Sequence, residues 1–315
     1  MIILAGGTGL IGTNLLRSLG DKDVIVITRN KKSAKAKLGG MKNILFLEWN
    51  EIFEEKWIEK LRVESERIVV NLAGENIGRV WTKTAKKEIM ESRLNSTRTA
   101  VRLAERIEAQ KLINASATGF YGDTGDEEKN EKASAGNSFL SNVCYMWEDE
   151  AKKVKKSKLF ILRIGIVLDR KAKIVSSSIT PLFIVNPFGR GENYISWIHI
   201  KDLSKIIRSI IDGKFETNGK FPEERKRKPV EDSAVIINCV SPNPVKTKDF
   251  IRTIAEIKKR KIVNIPQIFF EILFGKDFVQ ETLRVSQRIR PSFLIENGFE
   301  FDFPDIRTAL KDILG

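Results

Sequence analysis

The clearest chemistry in this 315-residue sequence sits close to its amino terminus, in Gly6-Gly7-Thr8-Gly9-Leu10-Ile11-Gly12. The apolar run Ile2–Ala5 leads into it, and a helical pattern, Leu10–Leu19, leads out. In such a turn Gly6 permits the sharp reversal and Gly9 lets the backbone approach a pyrophosphate. Gly12 lets the helix lie close to the strand. The diphosphate then faces free N–H groups at a helix N-terminus. Gly6, Thr8, Gly9, Leu10, Ile11 and Gly12 are therefore candidate cofactor-binding residues. The end of the second strand selects between dinucleotides, because a carboxylate there suits the ribose hydroxyls of NAD(H). This sequence has Thr28-Arg29-Asn30 followed by Lys31 and Lys32. A guanidinium there pairs with a 2′-phosphate, so NADP(H) is expected ahead of NAD(H).

The other reactive residues are few. Cys144 and Cys239 lie in apolar stretches without CxxC spacing, and His199 is the only histidine. Neither a disulfide framework nor a metal site is expected, and chemistry needing two imidazoles is excluded. The formal net charge of +14 is spread along the chain among 41 acidic residues. Its densest clusters, Lys31 to Lys37, Lys152 to Lys158, Arg225 to Lys228 and Lys258 to Lys261, are not interleaved with aromatics, so a nucleic-acid partner is not expected. Abundant Lys, Glu and Ile suggest a thermophilic surface. The densest apolar stretch, Ile268 to Phe274, is too short to span a bilayer, and the first strand begins at once. No membrane partner is expected, and the expected location is cytoplasmic.

These residues need elements to position them. Ile2–Ala5, Val24–Thr28, Ile44–Leu47, Ile68–Leu72, Leu112–Ala115 and Leu159–Arg163 read as nearly all-apolar strands. Leu10–Leu19, Thr82–Glu108 and Phe139–Lys155 read as helices between them. The alternation implies an α/β fold, a Rossmann doubly wound parallel sheet with a smaller C-terminal substrate lobe. The expected division is a dinucleotide-binding domain over 1–168 and a discontinuous lobe over 169–315. Residues about 196–213 and 235–240 return to the first domain. In the second half, helical patterns cover Lys201–Asp212, Thr247–Lys259 and Asp305–Leu314, Val235–Val240 reads as a buried run, and Lys214–Asp232 reads as a charged loop.

Further segments carry a family resemblance. They include Asn71-Leu72-Ala73-Gly74-Glu75-Asn76-Ile77, Arg79-Val80-Trp81-Thr82, Ser92-Arg93, Ala115-Ser116-Ala117 and Phe120-Tyr121-Gly122. Cys144 with Trp147-Glu148, Ser196-Trp197-Ile198-His199, Gln287-Arg288 and Gly298-Phe299-Glu300-Phe301 extend it over essentially the whole chain. Together they resemble the atypical extended short-chain dehydrogenase/reductases called epimerase family proteins, the 39U type. The resemblance implies an NADP-binding domain with cofactor contacts from Thr28, Arg29, Leu72, Ala73, Glu88, Arg93 and Val167. Gly74 joins them as part of the same segment. Glu88 and Arg93 also read as a surface pair on one helix.

An ordinary short-chain dehydrogenase relays protons through the Tyr and Lys of YxxxK. Aligned by resemblance, Cys144 takes the Tyr position and Glu148 the Lys position. Tyr145 is one residue away, turned about 100° around the helix. The substitutes are Ser116, Thr118, Tyr121 and Cys144, of which Ser116 and Tyr121 are the catalytic candidates. Cys144 reads as a small buried hydrophobe, His199 as a hydrogen-bonded residue near a helix start, and Asp202 as an N-terminal helix acid. The leading expectation is an NADP-dependent oxidoreductase or epimerase acting on a small carbonyl or alcohol, with Trp, His and Arg of the second lobe in its pocket. The alternative is a non-catalytic NADP(H)-binding redox sensor or regulatory protein. A weaker third is a nucleotide-sugar epimerase, with Arg190-Gly191-Glu192-Asn193, Arg288 and Arg290 meeting a diphosphate.

Overall fold

A computed structural model describes residues 1–58, 66–217 and 234–315. Seven strands build one wholly parallel sheet: β1 (Ile2–Ala5), β2 (Val24–Thr28), β3 (Ile44–Glu48), β4 (Ile68–Asn71), β5 (Lys111–Ala117), β6 (Lys158–Ile164) and β7 (Val235–Cys239). Their order across the sheet is β3-β2-β1-β4-β5-β6-β7. β1, β2 and β4 bury every residue, as strands covered on both faces must.

The longer helices are α1 (Leu10–Leu19), α2 (Lys31–Leu38), α3 (Lys83–Arg106), α4 (Phe139–Ala151), α5 (Ile200–Ile211), α6 (Thr247–Lys258), α7 (Gln267–Phe274), α8 (Lys276–Thr282) and α9 (Ile306–Leu314). On one face of the sheet, Leu15 and Leu19 of α1 and Leu203 and Ile207 of α5 pack with Leu4, Val26 and Val70. On the other, Ala100, Leu103 and Ala104 of α3 pack with Ile3, Ile25 and Val69. Strand order reverses between β1 and β4, and the crevice at their carboxyl ends is where such sheets bind ligands.

The C-terminal part has its own core, in which Phe250, Ile251 and Ile254 of α6 and Leu310 and Ile313 of α9 surround Trp197 and Phe188. Two-residue to four-residue strand pairs support it, including Ile166–Leu168 with Trp197–His199 and Phe183–Asn186 with Lys261–Asn264. The loop read over Lys214–Asp232 opens with a helical turn, Lys214–Thr217. Its remainder, with the Arg225 to Lys228 cluster, lies outside the described residues. Two helices end before the bounds read from sequence. α3 stops at Arg106 because Glu108 takes φ +50°, and α4 stops at Ala151. Among the described residues no helix is long and apolar enough to cross a membrane.

Candidate dinucleotide cleft and adjoining cavity

The glycine turn places its backbone hard against β4. Gly6 has φ +83°, and a Cβ on it would stand 2.7 Å from the Leu72 carbonyl carbon and oxygen. A Cβ on Gly12 would overlap Gly6 O and stand 2.6 Å from Gly7 Cα. Gly9 heads α1. A cleft of about 730 Å³ opens here, lined by Gly6, Thr8, Gly9, Thr28, Arg29, Leu72, Ala73 and Gly74. Leu10, Ile11 and Gly12 do not line it. They stand behind the turn on α1, and Gly12 acts by letting helix and turn touch.

Cations and amides gather at the end of β2. Arg29 is exposed and its Nη1 donates to Glu75 Oε1 at 2.9 Å across the cleft. Asn30 caps α2, accepting from Ser33 N at 2.8 Å. Lys37, in the last turn of that helix, reaches back to donate to Thr8 O at 2.6 Å. Sequence reading missed Lys37 because α2 buries only Ala34 and Leu38, too thin an apolar stripe to announce a helix. It named Lys31 and Lys32 instead. Lys31 turns away to Glu51, at 2.5 Å, and Lys32 is not on the wall. A glycine cradle with two cations and no acid in Thr28–Asn30 fits a dinucleotide bearing a 2′-phosphate.

A second cavity, of about 510 Å³, adjoins this region beyond Arg93, whose side chain lies 3.4 Å from a Cβ built on Gly74. Its wall is mostly apolar: Leu140 and Val143 of α4, Ile164, Ile166 and Phe188, and Phe270, Phe274 and Phe278 from α7 and α8. Phe270 and Phe274 stand four residues apart on α7, the helical spacing that was the available signal for them, and Phe278 follows on α8 beyond the break at Gly275. Few polar side chains reach this wall. Thr118 donates to Gln287 Oε1 at 2.8 Å, while Gln287 Nε2 donates to Thr118 O at 3.1 Å. Glu281 accepts from Phe139 N and Leu140 N at the start of α4. Arg93 Nη1 donates to Glu75 O and Ile89 O, and its guanidinium lies 5.1 Å from the Trp147 ring centre. Burial lowers the Arg93 pKa, and the neighbouring Cys144 and Glu75 oppose the shift.

Ser116 and Tyr121 do not line this cavity; they belong to a chain of buried polar contacts beneath it. Ser116 Oγ donates to Glu148 Oε1 at 2.7 Å. Arg163, on β6, closes a two-pronged pair with that carboxylate: Nε to Oε1 and Nη2 to Oε2, each 2.9 Å. Its Nη1 donates to the Tyr121 hydroxyl at 2.9 Å, and that hydroxyl donates to Asn238 Oδ1 on β7 at 2.6 Å. Burial works against the Arg163 cation, yet the Glu148 hydrogen bonds and charge outweigh it and raise its pKa. Burial also lifts the Tyr121 hydroxyl to about 12 and the Cys144 thiol to about 12, so neither ionises near neutral pH. Cys144 does reach the cavity wall, as a neutral, buried thiol, and Tyr145 is exposed.

Other candidates go elsewhere. Glu88 pairs with Arg79 at 2.6 Å, not with Arg93, and lines neither space. Val167 packs against the sheet core and is likewise off both walls. Trp197 is buried with Nε1 on Asn243 O, so it and His199 are not pocket residues. Glu192 is held by Lys246 and Lys248, while Arg288 and Arg290 lie against Glu128. None of these, nor Arg190, is on the cavity wall. Asp202 accepts from Asp302 N and Phe303 N, fastening the C-terminal segment to the start of α5. Among the described residues no group of three or more His, Cys, Asp or Glu could hold a metal ion.

His199 caps α5, accepting from Lys201 N at Nδ1 and stacking on Phe303 with ring centres 3.8 Å apart. Nε2 stands 3.3 Å from Asp312 Oδ2 but without hydrogen-bond alignment. Burial lowers its pKa to about 4, against the smaller pull of Asp312. The unfolded chain, with an ordinary pKa near 6.5, therefore binds the proton first as pH falls. Stability should decline between pH about 6.5 and about 4 through this group. A His199→Gln variant should flatten that limb in melting curves taken across the range; an unchanged slope would remove His199 as its cause.

The glycine turn, the strand order and the cleft at the reversal point define a Rossmann-type fold. Residues 2–146 match the model of the NAD dependent epimerase/dehydratase family, and residues 265–313 match the Domain of unknown function (DUF1731). The chain is similar to epimerase family protein YfhF of Bacillus subtilis, 27% identical over 322 residues that cover 99% of this chain and 97% of that one. It is 29% identical over 325 residues to the chloroplastic epimerase family protein SDR39U1 homolog of Arabidopsis thaliana, covering 99% and 86%. The crystal structure of human epimerase family protein SDR39U1 (isoform2) with NADPH superposes with a TM-score of 0.76 at 23% identity, over 99% of this chain and 98% of that one. A UDP-galactose 4-epimerase superposes at 0.68 with 13% identity, covering 99% and 96%. At these identities the structural likeness is one of fold.

Proposed function

We propose that the chain binds NADP(H) in the glycine cleft and acts as an oxidoreductase, or as an epimerase using the nicotinamide transiently, on a carbonyl or alcohol held in the adjoining cavity. The observation that carries this reading is the convergence of Arg29 and Lys37 on a cleft with a glycine cradle. The human SDR39U1 structure, solved with NADPH, supports it. When bound, NADP(H) supplies or accepts the hydride. Arg93 sets positive charge beside the substrate oxygen, and Thr118, whose hydroxyl proton goes to Gln287, offers an alcohol substrate an acceptor from the wall. Ser116 and Tyr121, tied to Glu148 and Arg163, act as positioning residues for that wall.

A non-catalytic NADP(H) sensor is the second reading, favoured by the closed Glu148–Arg163 pair where a relay lysine would stand. Fluorescence titration with NADPH and NADH tests the shared part. NADPH should bind more tightly, and Arg29→Ala should weaken it about tenfold or more while barely altering NADH, the loss of one charge-assisted phosphate contact. Equal affinities for the two cofactors would overturn the assignment. Turnover of NADPH with a ketone separates enzyme from sensor.

A further inference from the structure

We propose that the substrate of this site is a lipophilic ketone, aldehyde or alcohol, mainly hydrocarbon with one oxygen function, and not a nucleoside diphosphate sugar. The inference deepens the reading above, and rests on it for the reaction but not for the ligand's chemistry. The cavity has the volume of a drug-sized ligand, about 510 Å³, and its far side is built from Phe188, Phe270, Phe274, Phe278 and Ile174. Its polar side chains are largely engaged within the protein. Glu281 is held by two backbone N–H groups, and Gln287 and Thr118 hold each other. Arg93 is the one cationic side chain on the described wall, placed at the end next to the cleft.

A diphosphate needs more. It carries two charges, and burying them in an apolar chamber with a single cation at one end is strongly unfavourable. The arginines that could have met it, Arg288 and Arg290, lie against Glu128 off the wall. A hydrocarbon chain meets no such cost, and its burial is favourable in proportion to the area removed from water. The roof is consistent with this. α7 turns Phe270 and Phe274 to the cavity while Phe269, Ile272 and Leu273 face solvent, Ile272 at 78% exposure, so both of its sides are apolar.

Calorimetric titration of the full chain with 2-hexanone, 2-nonanone, 2-dodecanone and UDP-galactose, with and without saturating NADPH, decides the matter. Affinity should rise by about threefold to fourfold for each added methylene until the cavity is filled, and UDP-galactose should bind at least tenfold more weakly than 2-dodecanone. Phe274→Asp should abolish the dependence on chain length, and circular dichroism of the variant reports its fold. Absence of ketone binding, affinity independent of length in the wild type, or tighter binding of UDP-galactose would overturn the proposal. Because ketone binding and NADPH binding are read separately, loss of the second alone sinks the cofactor reading and leaves this one standing.

Discussion

Glu148→Ala should destabilise the chain by about 3–5 kcal/mol and lower its melting temperature by roughly 10 °C. The Arg163 guanidinium is buried, and Glu148 is the carboxylate that meets two of its nitrogens. Removing the carboxylate leaves a cation without its counter-ion in a place that water cannot reach, and also strips the Ser116 hydroxyl of its acceptor. Glu148→Leu with Arg163→Leu should cost less than Glu148→Ala alone, because both charges then leave together. A melting temperature within about 2 °C of wild type for Glu148→Ala would show that the pair does not hold β6 to α4. The same geometry bears on the missing proton relay. Cys144→Tyr with Glu148→Lys rewrites the sequence as YxxxK, yet places an ammonium beside Arg163. That double variant should be less stable than wild type and gain no phenolate chemistry.

The sheet was legible because its strands are apolar almost end to end. Ile2–Ala5 and Val24–Thr28 fall where the pattern puts them. The glycine turn was legible because its spacing is a backbone requirement, which one chain displays without context. Residues whose roles depend on distant partners were not. Arg163 sits in a strand that reads as apolar, and only the fold shows that Glu148, 15 positions earlier, meets it. Thr118 lines the cavity bound to Gln287, 169 positions away, and nothing local announces that bond. Ser116 and Tyr121 have the right residue types at the right sheet edge. Burial and hydrogen bonding then commit both hydroxyls to the polar chain below the wall. The aromatic roof was hidden differently. Ile268 to Phe274 stood out as apolar and too short to span a bilayer, but a seven-residue run does not say whether it faces a core or a cavity.

Gly12→Ala should weaken NADPH binding by about 100-fold, well beyond the loss expected for Arg29→Ala, although Gly12 does not line the cleft. The cause is steric. A methyl group at residue 12 would occupy the place of Gly6 O and press on Gly7 Cα, and backbone cannot yield as a flexible side chain does. Either α1 moves away or the turn opens, and both displace the Gly6 to Gly9 backbone from the position a pyrophosphate requires. The strain itself should cost about 1–3 kcal/mol of stability, so the decisive comparison is with Gly20→Ala at the other end of α1. Gly20 has φ +62° and open space around its Cβ. Alanine there brings backbone strain without a collision and should leave NADPH affinity within about twofold. The two variants thus separate a lost fold from a lost cradle. NADPH should raise the melting temperature of wild type and Gly20→Ala but hardly that of Gly12→Ala at the same concentration, since a ligand stabilises only in proportion to its binding. Equal NADPH-induced shifts in all three would mean that the dinucleotide does not sit on the glycine turn.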